Sequence, residues 1–428
     1  MNQFTTSLWG DEAWAATLAI KPIFQIIKIV ARDTSPPFYY LLLHGWMKIF
    51  GTSEIAIRSL SFLFFLGTVL TVYLIARYLW GKKTGILAAL LTFTNPFLFT
   101  YAFEGRMYSL LVLTSTLSIY FFLKKNRPGF ILATTAALYT HHFSLFIIIF
   151  EAIWIIKENW GKNFKQVIKN LKDFFIIGLL YLPWLYPLYY QTSLVGSGFW
   201  LGKPTFEVLK DTIHNFLVGS GKEISRQLAY WIIFAILLLR KWTKEKEKWV
   251  FLLGWFFTPL ILTFIISQFF QSIFYDRYML MAIPAASVLI ASNRRKLSFI
   301  FIFIVIFSLA TVNYAYFFHP VKRPFRELAV FIKKEAKEIP LVNYNARAHH
   351  LWESKYYDLQ APIYSPQPLP FYTGTALMEE DDIIKKIPDA KEIGVITSAP
   401  IEETNIPGYH LIETQKFDQL LFIRMKKD

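Results

Sequence analysis

Apolar residues occupy long, nearly unbroken runs along most of this chain, and short polar segments separate one run from the next. Such runs are typical of helices that cross a membrane, because strands and soluble helices alternate apolar and polar positions. A straight span needs about 20 apolar residues, and several runs are shorter, so the ends of those spans stay open. The pattern predicts about ten spans, at 57–79, 84–101, 107–123, 130–139, 143–156, 174–190, 228–239, 249–270, 278–292 and 297–318.

The segment before the first span has a different pattern. Between residues 20 and 32, apolar side chains recur on one side of a helix and polar side chains on the other. This predicts a helix that lies in the membrane interface. Two prolines, Pro36 and Pro37, then predict an extended turn before an interfacial or half-inserted segment at 38–50. The polar stripe of the interfacial helix is expected to face lipid headgroups and consists of Lys21, Gln25, Lys28 and Arg32.

The last part of the chain, from residue 320 onward, has shorter apolar runs, more charge and frequent prolines. These features predict a soluble α/β domain of about a hundred residues. Periodicity predicts a helix at 325–336. Strands are expected at 341–344 and 393–397, with an antiparallel pair at 409–413 and 419–425.

Composition supports a polytopic membrane protein, because 54% of the residues are hydrophobic, 18% are aromatic and the mean hydropathy is +0.37. The net charge of +15 would also suit a nucleic-acid partner, so the position of the charges has to decide. The chain contains no cysteine, which excludes disulfides, thiol nucleophiles and cysteine metal sites. Any catalysis must use carboxylates, histidines, arginines or tyrosines.

Basic residues concentrate in alternate loops between the predicted spans, and the opposite loops are sparse in them. By the positive-inside rule the rich loops are cytoplasmic, so the basic charge reflects topology and no nucleic-acid partner is expected. The cytoplasmic set is Lys82, Lys83, Lys124, Lys125, Arg127, Lys157, Lys162, Lys165, Lys169, Lys172, Arg240, Lys241, Lys244, Lys246, Lys248, Arg294, Arg295 and Lys296.

This topology predicts a mainly α protein, a polytopic transmembrane helical bundle with a small C-terminal α/β soluble domain. The expected parts are a first outer loop at 1–56, a transmembrane helical domain at 57–319 and a soluble extracytoplasmic domain at 320–428. The plasma membrane is the expected location.

Acids, arginines and histidines from several turns fall together at the non-cytoplasmic face under this topology. Such clustering at one membrane face indicates a site, although loop residues are also polar simply because loops are wet. The clustered residues are Asp11, Glu12, Asp33, Glu104, Arg106, His141, His142, Asp276 and Arg277.

Five motifs in order resemble membrane glycosyltransferases of the GT-C type, over residues 8 to about 160. They are similar to the protein O-mannosyltransferase-like group of family 39, which also includes transferases that modify lipid A with aminoarabinose. The motifs are Gly10-Asp11-Glu12-Ala13, Pro36-Pro37-Phe38-Tyr39-Tyr40-Leu41-Leu42-Leu43-His44, Glu54-Ile55-Ala56-Ile57-Arg58, Glu104-Gly105-Arg106-Met107-Tyr108 and Tyr139-Thr140-His141-His142.

The resemblance implies inverting transfer of a sugar, from a polyprenyl- or dolichyl-phosphate carrier to a hydroxyl acceptor at the outer face. Asp11 is then the expected base that takes the proton of the acceptor hydroxyl. Glu12 is expected to orient the acceptor or a sugar hydroxyl, or else to be a solvated neighbour. The acceptor can be a protein, a lipid or a glycan, and no residue separates a mannose-like hexose from a pentose.

The leaving lipid phosphate gains charge as its bond to the sugar breaks, so cations should stabilise the transition state. Arg106 and Arg277 are the expected phosphate ligands, with Arg58 third and Tyr108 as a possible cap; snorkelling arginines and an aromatic belt are the alternatives. The resemblance places Glu104, His141, His142 and His44 as substrate-binding residues, although a histidine pair at a helix end is more often structural. No cofactor or metal is predicted, but Glu104 with the two histidines leaves a divalent cation conceivable.

Two further expectations concern the chain as a whole. The loop at 191–227 contains five glycines and is expected to order over the donor, or else to be a flexible linker. Family members normally carry a transmembrane helix before the Gly-Asp-Glu segment, so we expect a first helix to be missing before Met1.

The rival function is a non-enzymatic lipid-carrier flippase or transporter, which predicts charged groups deep inside spans.

Overall fold

The computed structural model describes residues 1–160, 164–238, 245–293, 296–345 and 348–428, and the side chains of 164–170 and 296–298 are not described. Part of the predicted cytoplasmic basic set therefore lies outside the described residues, namely Lys162, Arg240, Lys241, Lys244, Arg294 and Arg295.

Helices make up most of the described chain. In order they are α1 (Gly10–Ile20), α2 (Ile23–Val30), α3 (Phe38–Phe50), α4 (Glu54–Trp80), α5 (Lys82–Thr94), α6 (Pro96–Ala102), α7 (Tyr108–Leu123), α8 (Arg127–Thr140), α9 (Leu145–Glu158), α10 (Phe164–Tyr181), α11 (Leu185–Gly196), α12 (Phe206–Val218), α13 (Ile224–Leu238), α14 (Lys246–Phe269), α15 (Ile283–Ala291), α16 (Lys296–Phe318), α17 (Phe325–Glu335) and α18 (His349–Tyr356).

All ten predicted apolar runs coincide with helices wherever they are described. Among the described residues, four helical stretches are long and apolar enough to cross a membrane, at Glu54–Trp80, Leu171–Gly196, Lys246–Phe269 and Phe299–Phe318. The pair α5 and α6 would make a fifth, bent by 64°. The figure of about ten spans thus stays a prediction.

The bend between α5 and α6 has a local cause at Asn95. Its side chain accepts a hydrogen bond from the amide of Leu98 at 3.0 Å, which caps α6, and Pro96 takes the first position of that helix. The Asn95 amide group also donates to the carbonyl of Phe216 at 2.8 Å. One polar residue therefore ends one helix, starts the next and ties both to α12.

The chain divides into two compact units. The first unit, which we call the acidic-pair unit, contains Met1–Thr34, Tyr40–Arg58 and His319–Asp428. The second, which we call the bundle unit, contains Ser35–Tyr39 and Ser59–Phe318.

The acidic-pair unit contains a mixed six-stranded sheet with the strand order β3-β2-β1-β4-β6-β5. Strands β1 to β4 pair in parallel, and β6 pairs antiparallel with both β4 and β5. Helix α17 packs its apolar stripe, including Phe325 and Leu328, against Ile396 and Phe422 of the sheet. The strands are β1 (Leu341–Asn343), β2 (Ile363–Tyr364), β3 (Ile383–Ile384), β4 (Glu392–Thr397), β5 (Tyr409–Phe417) and β6 (Leu420–Lys427).

The expected helix at 325–336 and the antiparallel pair near the end of the chain are confirmed as α17, β5 and β6. The range predicted as an interfacial helix contains a helix, but a shorter one: α1 ends at Ile20, and α2 begins after Pro22. Its position in the membrane interface stays a prediction. Phe24 on α2 is 86% exposed, as an interfacial residue would be. Lys21, however, lies beside Glu379, with a distance of 2.9 Å between Nζ and Oε1.

The range 191–227 is largely helical, with the end of α11, all of α12 and the start of α13. Gly219 and Gly221 adopt positive φ angles between α12 and α13, where a side chain would be strained. Ordering of this segment over a donor stays a prediction.

Candidate active site

The acidic pair lies in the first turn of α1, where the unpaired amides of a helix favour negative charge. The two acids differ completely in their surroundings. The Asp11 side chain is 21% exposed, whereas the Glu12 side chain is 0% exposed. Only Asp11 can therefore meet a substrate directly.

Glu12 forms a buried ion pair with Arg58 of α4. The Arg58 Nε donates to Glu12 Oε1 at 2.8 Å, and Nη2 donates to Oε2 at 2.6 Å. Lys322 adds a second cation, with 2.8 Å between its Nζ and Oε2. Burial raises the pKa of Glu12, but the charges of Arg58 and Lys322 outweigh it and hold the pKa at about 2. Glu12 is thus ionised and engaged, not a solvated neighbour.

Arg58 also holds the first residues of the chain in place. Its Nη1 donates to the carbonyls of Gln3 and Thr6, and its Nη2 donates to the carbonyl of Ser7. The Arg58 side chain is 0% exposed, so it is not a snorkelling interfacial arginine. These contacts correct the expectation of a third phosphate ligand, because the guanidinium is occupied by protein groups.

Asp11 faces the C-terminal part of the chain within the same unit. Its Oδ1 lies 3.7 Å from Nδ1 of His349, the first residue of α18. Helices α1 and α18 approach closely at Gly10, where an added Cβ would collide with the side chain of His349. Only glycine at position 10 therefore permits this distance between Asp11 and His349.

Glu353, one turn after His349 on α18, is a buried carboxyl group. Burial raises the pKa of Glu353 to about 8; the charge of Arg323 and a hydrogen bond from the backbone of Gly10 act in the opposite direction but are weaker. Arg323 Nη1 lies 3.9 Å from Glu353 Oε2, too far for a hydrogen bond. Glu353 is therefore largely protonated at neutral pH.

The contribution of Glu353 to the stability of the protein should fall as the pH rises from 4.5 to about 8, because this carboxyl group binds its proton more tightly in the folded protein. Its pKa is about 8 in the structure against an ordinary 4.5, so its stabilising contribution is complete below pH 4.5 and is lost through pH 8. Glu353→Gln removes this titration and should flatten the decline by up to about 1.4 kcal/mol per pH unit. Thermal unfolding at stepwise pH values measures it. The exposed Glu338→Gln is the control, and equal slopes for the two variants would contradict the assignment.

Arg277 is the centre of an aromatic cluster in the bundle unit. Its guanidinium carbon lies 4.8 Å from the ring centroid of Tyr275, 5.4 Å from that of Tyr108 and 5.7 Å from that of Tyr278. Such stacking fixes the plane of the guanidinium. Tyr108, at the start of α7, is only 1% exposed and packs against Tyr101, with 5.2 Å between the two ring centroids. We call these five residues the Arg277 cluster.

Arg106 belongs to the same region. Burial lowers the pKa of His141, and the nearby His142, Arg106 and Arg277 lower it further, so both arginines lie close to this imidazole. His141 is 7% exposed, and its ring centroid lies 5.1 Å from that of Tyr278. Glu104 is 6% exposed and interacts electrostatically with Tyr101. The structure thus brings together five of the predicted residues: Glu104, Arg106, Tyr108, His141 and Arg277.

His142 and His44 have structural surroundings. His142 Nδ1 lies 3.1 Å from the Tyr181 hydroxyl, and Nε2 lies 2.7 Å from Oε1 of Gln191. Burial lowers the pKa of His142 to about 4, although the hydrogen bond that its Nε2 donates to Gln191 opposes this, so the ring is neutral. His44 Nδ1 contacts the carbonyl of Ala19 at 2.7 Å. These contacts support the structural alternative for both histidines.

No group of three or more histidine, aspartate or glutamate side chains in the described part of the chain is arranged to hold a metal ion.

Four residues near Asp11 were not predicted from the sequence: Lys322, Arg323, His349 and Glu353. All four belong to the segment read as a separate soluble domain. The sequence does contain one signal for these residues: His349 and Glu353 are four positions apart, which places both side chains on one face of a helix. The helix itself is short and has buried polar residues, so it lacks an amphipathic pattern.

Residues 34–186 match the family described as dolichyl-phosphate-mannose-protein mannosyltransferase. No curated protein sequence matches the chain. The fold is similar to that of ArnT from Cupriavidus metallidurans in the apo state, with 13% identity, a TM-score of 0.67, and coverage of 98% of this chain and 94% of ArnT. ArnT bound to undecaprenyl phosphate gives 12% identity, a TM-score of 0.64 and the same coverage, 98% and 94%.

The oligosaccharyltransferase of Archaeoglobus fulgidus tethered with an acceptor peptide is a more distant match. It shares 14% identity at a TM-score of 0.53, over 84% of this chain and 61% of that one. The chain therefore has the GT-C fold, and the resemblance to GT-C membrane glycosyltransferases that its motifs carry is confirmed.

Proposed function

We propose that this protein is an inverting glycosyltransferase that moves a sugar from a polyprenyl-phosphate carrier to a hydroxyl acceptor at the outer face of the plasma membrane. One observation carries the proposal: of the two acids in the Gly-Asp-Glu motif, Asp11 alone is accessible, while Glu12 is fully buried in an ion pair. A general base must reach its substrate, and a buried, ion-paired carboxylate cannot.

Asp11 accepts the proton of the acceptor hydroxyl as the acceptor oxygen attacks the anomeric carbon. The bond from that carbon to the phosphate oxygen breaks, and its electron pair stays on the lipid phosphate. Attack from the side opposite the leaving group inverts the anomeric configuration. Glu12 does not touch the acceptor in this scheme; with Arg58 and Lys322 it fixes the first turn of α1 that carries Asp11.

Arg277 and Arg106 stabilise the charge that develops on the leaving phosphate. The tyrosines of the Arg277 cluster hold the Arg277 guanidinium in place before the donor arrives, so little reorganisation is needed during transfer. The ArnT structure with undecaprenyl phosphate supports a carrier of this class for the present fold. The sugar is a hexose such as mannose or a related pentose, and the acceptor is a protein, lipid or glycan.

Replacing Arg277 by alanine should weaken donor binding and slow transfer, because the phosphate loses a preorganised cation. We expect kcat/KM for the lipid-phosphate sugar to fall by about 10²- to 10³-fold in Arg277→Ala. In Arg277→Lys kcat/KM should fall less, because lysine keeps the charge but lacks the planar group that stacks on the tyrosines. Undecaprenyl phosphate should raise the unfolding temperature of the unmodified protein but not of Arg277→Ala.

The matched control is Arg77→Ala. Arg77 also stacks on a tyrosine, 5.9 Å from the ring of Tyr73, but it is exposed on α4 and has no expected part in phosphate binding. Stabilisation by undecaprenyl phosphate that survives in Arg277→Ala would contradict the assigned role. Transport of the carrier without any sugar transfer would favour the flippase alternative.

A further inference from the structure

We propose that His349 is a positioning residue for Asp11, which makes the C-terminal part of the chain a working element of the active site. This inference rests on the proposed role of Asp11 as the base. The imidazole of His349 lies beside Oδ1 of Asp11 and fixes the orientation of the carboxylate that takes the proton of the acceptor. Their separation of 3.7 Å is within ion-pair range, and such contacts commonly shorten when substrate binds.

The backbone around His349 is built to hold this distance. Gly10 lies directly under the imidazole, where any side chain would meet the Cβ, Cγ and Nδ1 atoms of His349. Helix α18 is anchored three residues farther along by Trp352, which is 2% exposed and whose Nε1 donates to the carbonyl of Thr373 at 3.3 Å. A rigid helix therefore presents His349 to the first turn of α1.

The neighbouring histidine shows what a purely structural residue looks like at this place. His350 is 0% exposed and packs against Phe325, with 5.9 Å between the ring centroids. The His349 side chain is 36% exposed and lies beside Trp9, at 5.7 Å between ring centroids. A half-exposed imidazole next to the accessible carboxylate suits a role in the reaction better than a role in the core.

Three substitutions of His349 separate positioning from packing. In His349→Asn an amide group on Cγ takes the place of Nδ1, in His349→Gln the amide lies one bond farther along, and in His349→Phe no polar atom remains. We expect kcat to fall by up to about 100-fold in the Phe variant and nearly as far in the Gln variant, with the donor KM unchanged. The Asn variant should keep most of the wild-type kcat.

The control is a second histidine and aspartate pair in the described part of this unit. His410 Nδ1 lies 2.8 Å from Asp428 Oδ1, but both side chains are more than half exposed. His410→Asn and His410→Phe should transfer sugar like the unmodified protein. Unfolding temperatures of all variants show whether each one is folded.

A double variant separates this proposal from the proposed function. Adding His349→Phe to Asp11→Asn should cause no further loss, because the partner to be positioned is already gone. Equal kcat for the Phe and unmodified proteins, or equal loss in the Asn and Phe variants, would overturn the positioning role while leaving Asp11 as the base. If the unmodified protein transfers no sugar from any lipid-phosphate donor, the proposed function fails, and with it the positioning role.

Discussion

Replacing Arg58 by methionine should destabilise the protein by about 3–5 kcal/mol, because it leaves the carboxylate of Glu12 buried without its main partner. Both side chains are 0% exposed, so water cannot replace the lost contacts. The same change removes the donors that hold the carbonyls of Gln3, Thr6 and Ser7. Unfolding the purified protein in detergent, by heat or by denaturant, measures the lost stability.

Arg127 provides the matched control in the bundle unit. It also contacts a carboxylate through two nitrogens, with 2.6 Å between Nη2 and Asp173 Oδ1, but its side chain is 59% exposed. Arg127→Met should therefore leave the unfolding transition unchanged, because exposed pairs contribute little. An Arg58→Met protein as stable as Arg127→Met would contradict the structural role of the buried pair. Adding Glu12→Gln to Arg58→Met should restore part of the lost stability, because the unpaired charge is removed.

Much of the fold follows from the sequence because its signal is local. Each described apolar run forms helix, and the period of apolar residues locates α17 to within a residue. The short strands β2 and β3 have two residues each, which is too few to show any alternation. Helix α18 was missed for a different reason: it buries His350 and Glu353, so its buried face does not look apolar.

The difference between Asp11 and Glu12 could not be seen locally. Glu12 is neutralised by Arg58, 46 positions away, and by Lys322, 310 positions away. The resemblance alone predicted that Arg58 binds the donor phosphate, whereas its contacts show that Arg58 holds the first turn of α1. The predicted residues Arg106, Tyr108 and Arg277 do lie in one region, because positions that approach the same face from different turns of a bundle meet there.

Asp11→Asn should slow sugar transfer strongly while leaving the fold intact. The amide has nearly the same shape as the carboxylate but cannot accept the acceptor proton at neutral pH, so a loss of about 10²- to 10⁴-fold is expected. Asp11 is partly exposed and is not the residue that pairs with Arg58, so the unfolding temperature should change little. The donor should still bind and stabilise the variant, because the Arg277 cluster is untouched.

The most direct test of the account is sugar transfer in membrane vesicles supplied with polyprenyl-phosphate sugars that carry a labelled hexose or pentose. The unmodified protein is expected to transfer label to a hydroxyl acceptor with inversion and to release one lipid phosphate for each sugar transferred. Asp11→Asn, folded and still stabilised by undecaprenyl phosphate, should release lipid phosphate at least about 100-fold more slowly. Transfer by Asp11→Asn at the rate of the unmodified protein would contradict the account.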